Sequence, residues 1–216
     1  MSALFKDRAD AGRQLAEGLA HYGANPDVLV LGLPRGGVPV AFEVAQRLGT
    51  PLDVFAVRKL GVPGHEELAV GAVASGGARV LNREVMATAG LGLGEIEVIA
   101  GRALATLERQ EQSYRGHRAA SEVRGKTVIL IDDGLATGAT MRAAIEALRS
   151  RGAARIVTGV PVAPRETCTA IASEVDEMVC TAMPDEFTAV GLWYRDFSPV
   201  SDERVRQLLD SRTEEG

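Results

Sequence analysis

The stretch VILIDDGLATGATM, residues 128–141, decides how the rest of the chain is read. Its first four residues are apolar and largely β-branched, the pattern of a parallel strand buried on both faces. Asp132 and Asp133 follow at the carboxyl end, where open α/β sheets place their ligands. Two adjacent acids there accept hydrogen bonds from a vicinal diol, such as a ribose offers. Next comes a cradle of small residues, Ala136, Thr137, Gly138, Ala139 and Thr140, with a helix beginning near Met141. Backbone N–H groups, hydroxyls and the helix dipole converge in such a loop and suit a phosphate monoester. A capped strand–turn–helix would account for one acid and one threonine. Two acids and a five-residue cradle ask for a phosphorylated ribose.

Working outward, further apolar runs read as strands at 28–33, 52–57, 155–160 and 177–181, beside the central one at 127–131. Alanine-rich helical patterns lie between them at 38–48, 140–150 and 166–173. The alternation predicts an α/β fold, a Rossmann-like parallel sheet flanked by helices. An opening helix over about 8–22 sets Leu15 and Leu19 on one face. Runs at 69–73 and 79–81 around Ser75-Gly76-Gly77 predict an antiparallel hairpin. Residues 83–123 read as a helical insertion of one or two helices before the central strand, and 211–216 as a polar, frayed tail. We read 1–216 as a single domain.

Other strand ends carry charge as well. The first strand runs into Gly32-Leu33-Pro34-Arg35-Gly36-Gly37, whose glycines admit an anion close to the backbone while Arg35 offers a fork of donors. The second is expected to end in Arg58-Lys59, two cations with no packing role in sight. A glycine-hinged polar stretch, 61–67, follows and contains His65. Aromatic residues make up only 4% of the chain, yet Phe187, Trp193, Tyr194 and Phe197 gather after the last strand. Such rings stack on planar bases, though Trp193 and Tyr194 serve equally well as core or dimer contacts.

Composition narrows the function. Hydrophobic residues at 46% and charged residues at 25% suit a globular core. A net charge of −5 argues against binding nucleic acid by bulk electrostatics, so no nucleic-acid partner is expected. No signal sequence and no membrane-spanning run is apparent, so the expected location is cytoplasmic. Cys168 and Cys180, the two cysteines, lack metal-ligand spacing and read as small buried hydrophobes. The loop at 134–140 lacks the Gly-Lys-Ser/Thr of a Walker A motif, and no GxGxxG follows the first strand.

The 128–141 segment resembles the PRPP-binding signature of type I phosphoribosyltransferases: four apolar residues, two acids and a small-residue TG loop. The order of strands and helices extends the resemblance over most of the chain. It implies that Asp132 and Asp133 hold the ribose hydroxyls, while Ala136, Thr137, Gly138, Ala139 and Thr140 hold the 5-phosphate. Arg35, Gly36 and Gly37 would form the pyrophosphate loop. Arg58 and Lys59 would act on the leaving pyrophosphate, with His65 on a mobile catalytic loop. Residues 183–200 look like a small C-terminal hood of purine-salvage relatives, with Phe187 and Trp193 against the base. The resemblance further implies Mg²⁺ bound mainly through PRPP, no dedicated protein metal site, a small-molecule acceptor and a homodimer. Its alternative is a PRPP-sensing regulator that keeps the fold without the chemistry. One departure is visible: 6-oxopurine enzymes commonly place an acid just before the TG, where this chain has Ala136.

Overall fold

The computed structural model describes residues 3–62 and 65–213, and their side chains except at 62–69 and 212–213. Five parallel strands form the central sheet: β1 (Val28–Gly32), β2 (Leu52–Val54), β6 (Thr127–Ile131), β7 (Arg155–Val162) and β8 (Glu177–Ala182). They are ordered β2-β1-β6-β7-β8, so the acid-bearing β6 lies in the middle. Alternate side chains of a strand leave by opposite faces, and both faces here are covered. Val28, Val30, Ile129 and Ile131 pack under α1 (Arg8–Gly18) and α2 (Gly37–Leu48), through Leu15, Val40 and Val44. Leu29, Leu31, Val128 and Leu130 face α5 (Ala139–Ser150) and α6 (Arg165–Ala172), through Met141, Leu148 and Ile171. Each such side chain, fully buried, contributes roughly 1.5–3 kcal/mol.

A second sheet is antiparallel, ordered β3-β4-β5, from β3 (Val57–Val62), β4 (His65–Ala74) and β5 (Ala78–Leu81). It contains the expected hairpin and corrects the reading of 52–57 as one strand. The run divides at Phe55–Ala56. The Phe55 N–H makes a last bond to the Gly32 carbonyl, 3.0 Å. Ser75 then takes over Ala56: its N–H donates to the Ala56 carbonyl at 2.9 Å, and the Ala56 N–H donates to its hydroxyl at 2.7 Å. Arg58 and Lys59 therefore lie inside an antiparallel strand and not at the carboxyl end of a parallel one. The stretch at 61–67 joins the same hairpin in its described part, with His65 opposite Val62.

The insertion forms α3 (Arg83–Thr88) and α4 (Leu93–Arg115). Met86, Ile96, Ala100 and Leu107 cover Leu60, Val70 and Val73 of the second sheet. A buried polar cluster ties the insertion to the main sheet. Arg115 donates to Asp53 at 2.7 Å and to the Val54 carbonyl at 2.7 Å, and Glu111 accepts from Ser75. Burial opposes the charge on Arg115, and Asp53 and Glu111 more than offset it, raising its pKa. Sequence periodicity assigns no element to 202–210 and reads 211–216 as frayed. Instead α7 (Asp202–Thr213) runs through 211–213 and buries Val205, Leu208 and Leu209 against Val38, Val54 and Tyr114.

Candidate functional site

The parallel register aligns Gly32 with Ile131 and Ile131 with Gly159, so the turns after β1, β6 and β7 emerge side by side. Residues 132–138, after β6, form the first wall of the site. Asp132 accepts a hydrogen bond from the Asp133 N–H at 2.9 Å. It lines a cavity of about 180 Å³ together with Gly134, the 135–141 loop and Lys59. Lys59 reaches it from β3 and also borders a larger cleft, about 590 Å³, that follows Ala139, Arg142 and Glu146 along α5. Neighbouring residues on a strand point to opposite faces; Arg58 is exposed.

The loop between β6 and α5 is held from behind. Gly138, the residue before α5, has φ +73°, a left-handed conformation that glycine adopts without strain. A Cβ there would also stand 3.2 Å from Thr167 Cγ2. Thr167 in turn donates its hydroxyl to the Ala136 carbonyl at 2.8 Å. Thr137 is exposed in the loop and Thr140 in the first turn of α5, a helix 12 residues long. An anion placed there meets the positive end of that helix.

Asp133 has a different setting. Arg8 Nε donates to its carboxylate at 2.8 Å, with both side chains largely buried. The Arg8 guanidinium lies 3.9 Å from the Phe197 ring centre and donates to the Ser198 carbonyl at 2.9 Å. Tyr194 donates its hydroxyl to the Asp133 carbonyl at 2.6 Å. Burial raises the Asp133 carboxyl above the usual carboxylate range, and Arg8 opposes that rise. Burial, then the neighbouring Asp133, hold the Asp132 carboxyl well above it. The adjacent acids are thus unlike: one carries a fixed counter-charge, and the other faces the cavity.

The turn after β1 packs directly on the acids. A Cβ on Gly37 would stand 2.6 Å from the Ile131 carbonyl oxygen, and one on Gly36 would overlap the Asp133 carboxylate. The Pro34–Arg35 peptide is cis. Arg35 is turned outward: its Nε pairs with Asp202 at 3.0 Å, at the start of α7, where Tyr114 also donates at 2.9 Å. The turn's glycines therefore meet the acids, and its cation does not.

The two aromatic residues expected at a base have different surroundings. Phe187 is half-buried and stacks on Trp193 with ring centres 6.4 Å apart. Trp193 is 7% exposed, in a core with Phe5, Ala11 and Val162. A ring covered in this way has no open face for a base, which corrects the expectation for Trp193. Its Nε1 has no hydrogen-bond partner among the described residues. The side chain of His65 lies outside the described residues. Sequence reasoning missed Arg8, Thr167 and Asp202. For Arg8 and Thr167 no local signal exists, because their partners are distant in the chain. Asp202 was findable, since Val205, Leu208 and Leu209 behind it have helical spacing.

Comparison with known proteins fits this geometry. Residues 3–192 match the model of the family described as "Phosphoribosyl transferase domain". The chain is 46% identical over 207 residues to the Mycobacterium tuberculosis protein named "Putative phosphoribosyl transferase Rv0571c", covering 96% of this chain and 46% of that protein. It therefore spans about half the length of the curated relatives it matches over its whole extent. The crystal structure of the Thermus thermophilus protein TT1426 superposes with a TM-score of 0.84 at 43% identity, covering 95% of this chain and 97% of that one. A shorter similarity, 35% over 65 residues, links 30% of this chain to 36% of the "Bifunctional protein PyrR" of Brevibacillus brevis. No helix among the described residues is long and apolar enough to cross a membrane.

Proposed function

The chain belongs to the phosphoribosyl transferase family, and from that premise we propose that it moves a 5-phosphoribosyl group from PRPP to a nitrogen nucleophile, a nucleobase, with release of pyrophosphate. One observation carries the reading. Asp132, the small-residue loop at 134–141 and Lys59 line one cavity, which would suit a diol acceptor, a phosphate cradle and a leaving-group cation in a single space.

In this reading Asp132 accepts from a ribose hydroxyl, and Asp133, steadied by Arg8, supplies the second acceptor. The backbone N–H groups and hydroxyls of 137–140 take the 5-phosphate. Lys59 faces the pyrophosphate as its negative charge grows in an oxocarbenium-like transition state. The Gly36 and Gly37 backbone closes the other side of that group, and Arg35 joins on turning away from Asp202. Phe187 offers the half-open face beside the acceptor. Ala136 provides no acid to a 6-oxopurine, which leaves the identity of the base to experiment.

Mg²⁺ fits the donor set as a substrate-borne ion. Two adjacent carboxylates, one already paired with Arg8, suit a hard cation that keeps phosphate oxygens and waters. When bound it neutralises pyrophosphate charge, and Asp132 with Asp133 would hold it on the protein side.

A second reading, a PRPP-binding regulator without transfer, is favoured by one feature: Asp133 and Arg35 are both paired within the protein. The deciding experiment incubates the protein with PRPP, Mg²⁺ and a panel of purines, pyrimidines and simple amines, and measures pyrophosphate release. Release with at least one acceptor is expected. Tight PRPP binding with no release across the panel would overturn the transferase reading in favour of the regulator.

A further inference from the structure

Asp133 is fixed through both its backbone and its side chain. Its N–H donates to Asp132 at 2.9 Å, and its carbonyl accepts from the Tyr194 hydroxyl at 2.6 Å. Its carboxylate accepts from Arg8 Nε at 2.8 Å, and Gly36 packs so closely on it that a Cβ there would overlap. Arg8 is the one cation paired with this acid among the described residues.

Arg8 is itself fixed. It opens α1, whose start is set by Asp7, the acceptor from the Asp10 N–H at 2.8 Å. Its guanidinium also has partners in the C-terminal segment: Nη1 donates to the Ser198 carbonyl at 2.9 Å, and the Phe197 ring centre lies 3.9 Å from the guanidinium carbon. That segment is tied to the N-terminal one. The Phe5 N–H donates to the Trp193 carbonyl at 3.0 Å, the Arg195 N–H to Phe5 at 2.9 Å, and the Asp196 N–H to Lys6 at 3.0 Å. Phe5, Tyr194 and Phe197 follow one another with ring centres 5.3 and 5.0 Å apart. Residues 4–8 and 193–198 thus form one unit, which meets Asp133 through Arg8 and Tyr194.

A buried ion pair adds little net stability over an apolar replacement, because desolvating two charges costs about as much as their attraction returns. What such a pair can fix is geometry. A carboxylate rotates broadly about its last torsion, and tying one oxygen to Arg8 leaves the other as an acceptor with a set direction. A planar guanidinium lying between an acid and an aromatic face suits this task, where a point-charge ammonium does not.

We propose that Arg8 is a positioning residue for the sugar: it sets the Asp133 carboxylate as acceptor of one ring hydroxyl, and by resting on Phe197 and Ser198 it makes the C-terminal segment part of what selects ribose over a deoxy sugar. The proposal rests on the reading of Asp132 and Asp133 as the diol site. It gives 193–198 a task at the ribose, beside the cover for a base expected from the sequence.

The test measures, by calorimetry, the binding of ribose 5-phosphate and its 2-deoxy and 3-deoxy counterparts to the wild-type chain and to Arg8→Gln, Arg8→Lys and Phe197→Leu. The wild-type chain should prefer ribose 5-phosphate over each deoxy sugar by about tenfold or more, the effect of one hydrogen bond to a charged group. Arg8→Gln should bring one of these ratios to within about twofold and leave the other, set by Asp132, near its wild-type value. A general loss of stability would not separate the two ratios. Arg8→Lys should keep an intermediate ratio, and Phe197→Leu should lower the same ratio by about threefold, the effect of one cation–π contact. Both ratios unchanged in a folded Arg8→Gln, with all affinities falling together, would make Arg8 merely structural and overturn the proposal. Should Arg8→Gln fail to fold, unchanged ratios in Arg8→Lys and Phe197→Leu would overturn it. A ratio lost in Arg8→Gln but untouched in Phe197→Leu would overturn the part given to the C-terminal segment. No binding of any of the three sugars by the wild-type chain would overturn the transferase reading itself, a result distinct from binding whose selectivity survives the loss of Arg8.

Discussion

The turns after β6 and after β1 start from paired strands, lie side by side and lead into helices, yet they are built on opposite plans. The β6 turn keeps Asp132 and its small residues open to a cavity and is braced from behind by Thr167. The β1 turn uses its glycines for contact with that neighbour: Gly36 leaves room for the Asp133 carboxylate, and Gly37 for the Ile131 carbonyl. Its cation, Arg35, is held by Asp202. A glycine-rich turn at a strand end is thus shaped here first by the protein's own acids, and an anion would be a second occupant of the same closeness.

The contrast can be broken where it should be strongest. Asp132→Asn with Asp133→Asn should weaken PRPP binding about a thousandfold, two charge-assisted hydrogen bonds at about 2 kcal/mol each, with the circular dichroism of the fold retained. Unchanged affinity by calorimetry would remove the β6 turn from the site. Arg8→Gln should cost about 3 kcal/mol of stability in urea, as when one partner of a buried ion pair is lost. It should also raise the Asp133 carboxyl further, because Arg8 is the largest opposing influence there. A loss of a few tenths of a kcal/mol would mean that Asp133 needs no counter-charge.

Smaller effects sharpen the same contrast. Gly36→Ala should destabilise by about 1–2 kcal/mol through overlap with Asp133, the usual cost of overpacking; an unchanged urea midpoint would show that the two turns do not press on each other. Asp132→Asn alone should stabilise the ligand-free protein by up to about 1 kcal/mol at neutral pH. The sign follows from a folded-state pKa above the unfolded one: ionising Asp132 costs the folded protein stability as pH rises through that raised value. The gain should vanish below the ordinary carboxylate range, and melting curves across pH would read it. Asp202→Asn comes last. Its pair with Arg35 is half exposed and is worth under about 1 kcal/mol, so stability should hardly move while pyrophosphate affinity rises slightly. A fall in that affinity would make Asp202 a support for Arg35 rather than a restraint.

The β6 turn is legible in the sequence because its parts are consecutive: apolar strand, two acids and small-residue loop are one run, 128–141. The sheet and the flanking helices are legible for the same reason, through local periodicity. What escapes is long-range. Residues 52–57 are apolar apart from Asp53, and nothing in them marks where Ser75, about twenty residues later, captures Ala56 and starts a second sheet. Arg8 reads as an ordinary charged residue in an amphipathic helix until folding sets it against Asp133, 125 positions away. Trp193 misleads because an aromatic cluster looks the same in sequence whether it lines a pocket or fills one.

Trp193 has one more consequence, an optical one. It is the chain's sole tryptophan, it is shielded from water, and the next residue, Tyr194, bonds to Asp133. Its emission therefore comes from a single position with a single environment, one residue removed from the acid pair. Any ligand that displaces Tyr194 or Arg8 on reaching Asp133 disturbs that environment, so the protein carries its own unlabelled fluorimeter for the site.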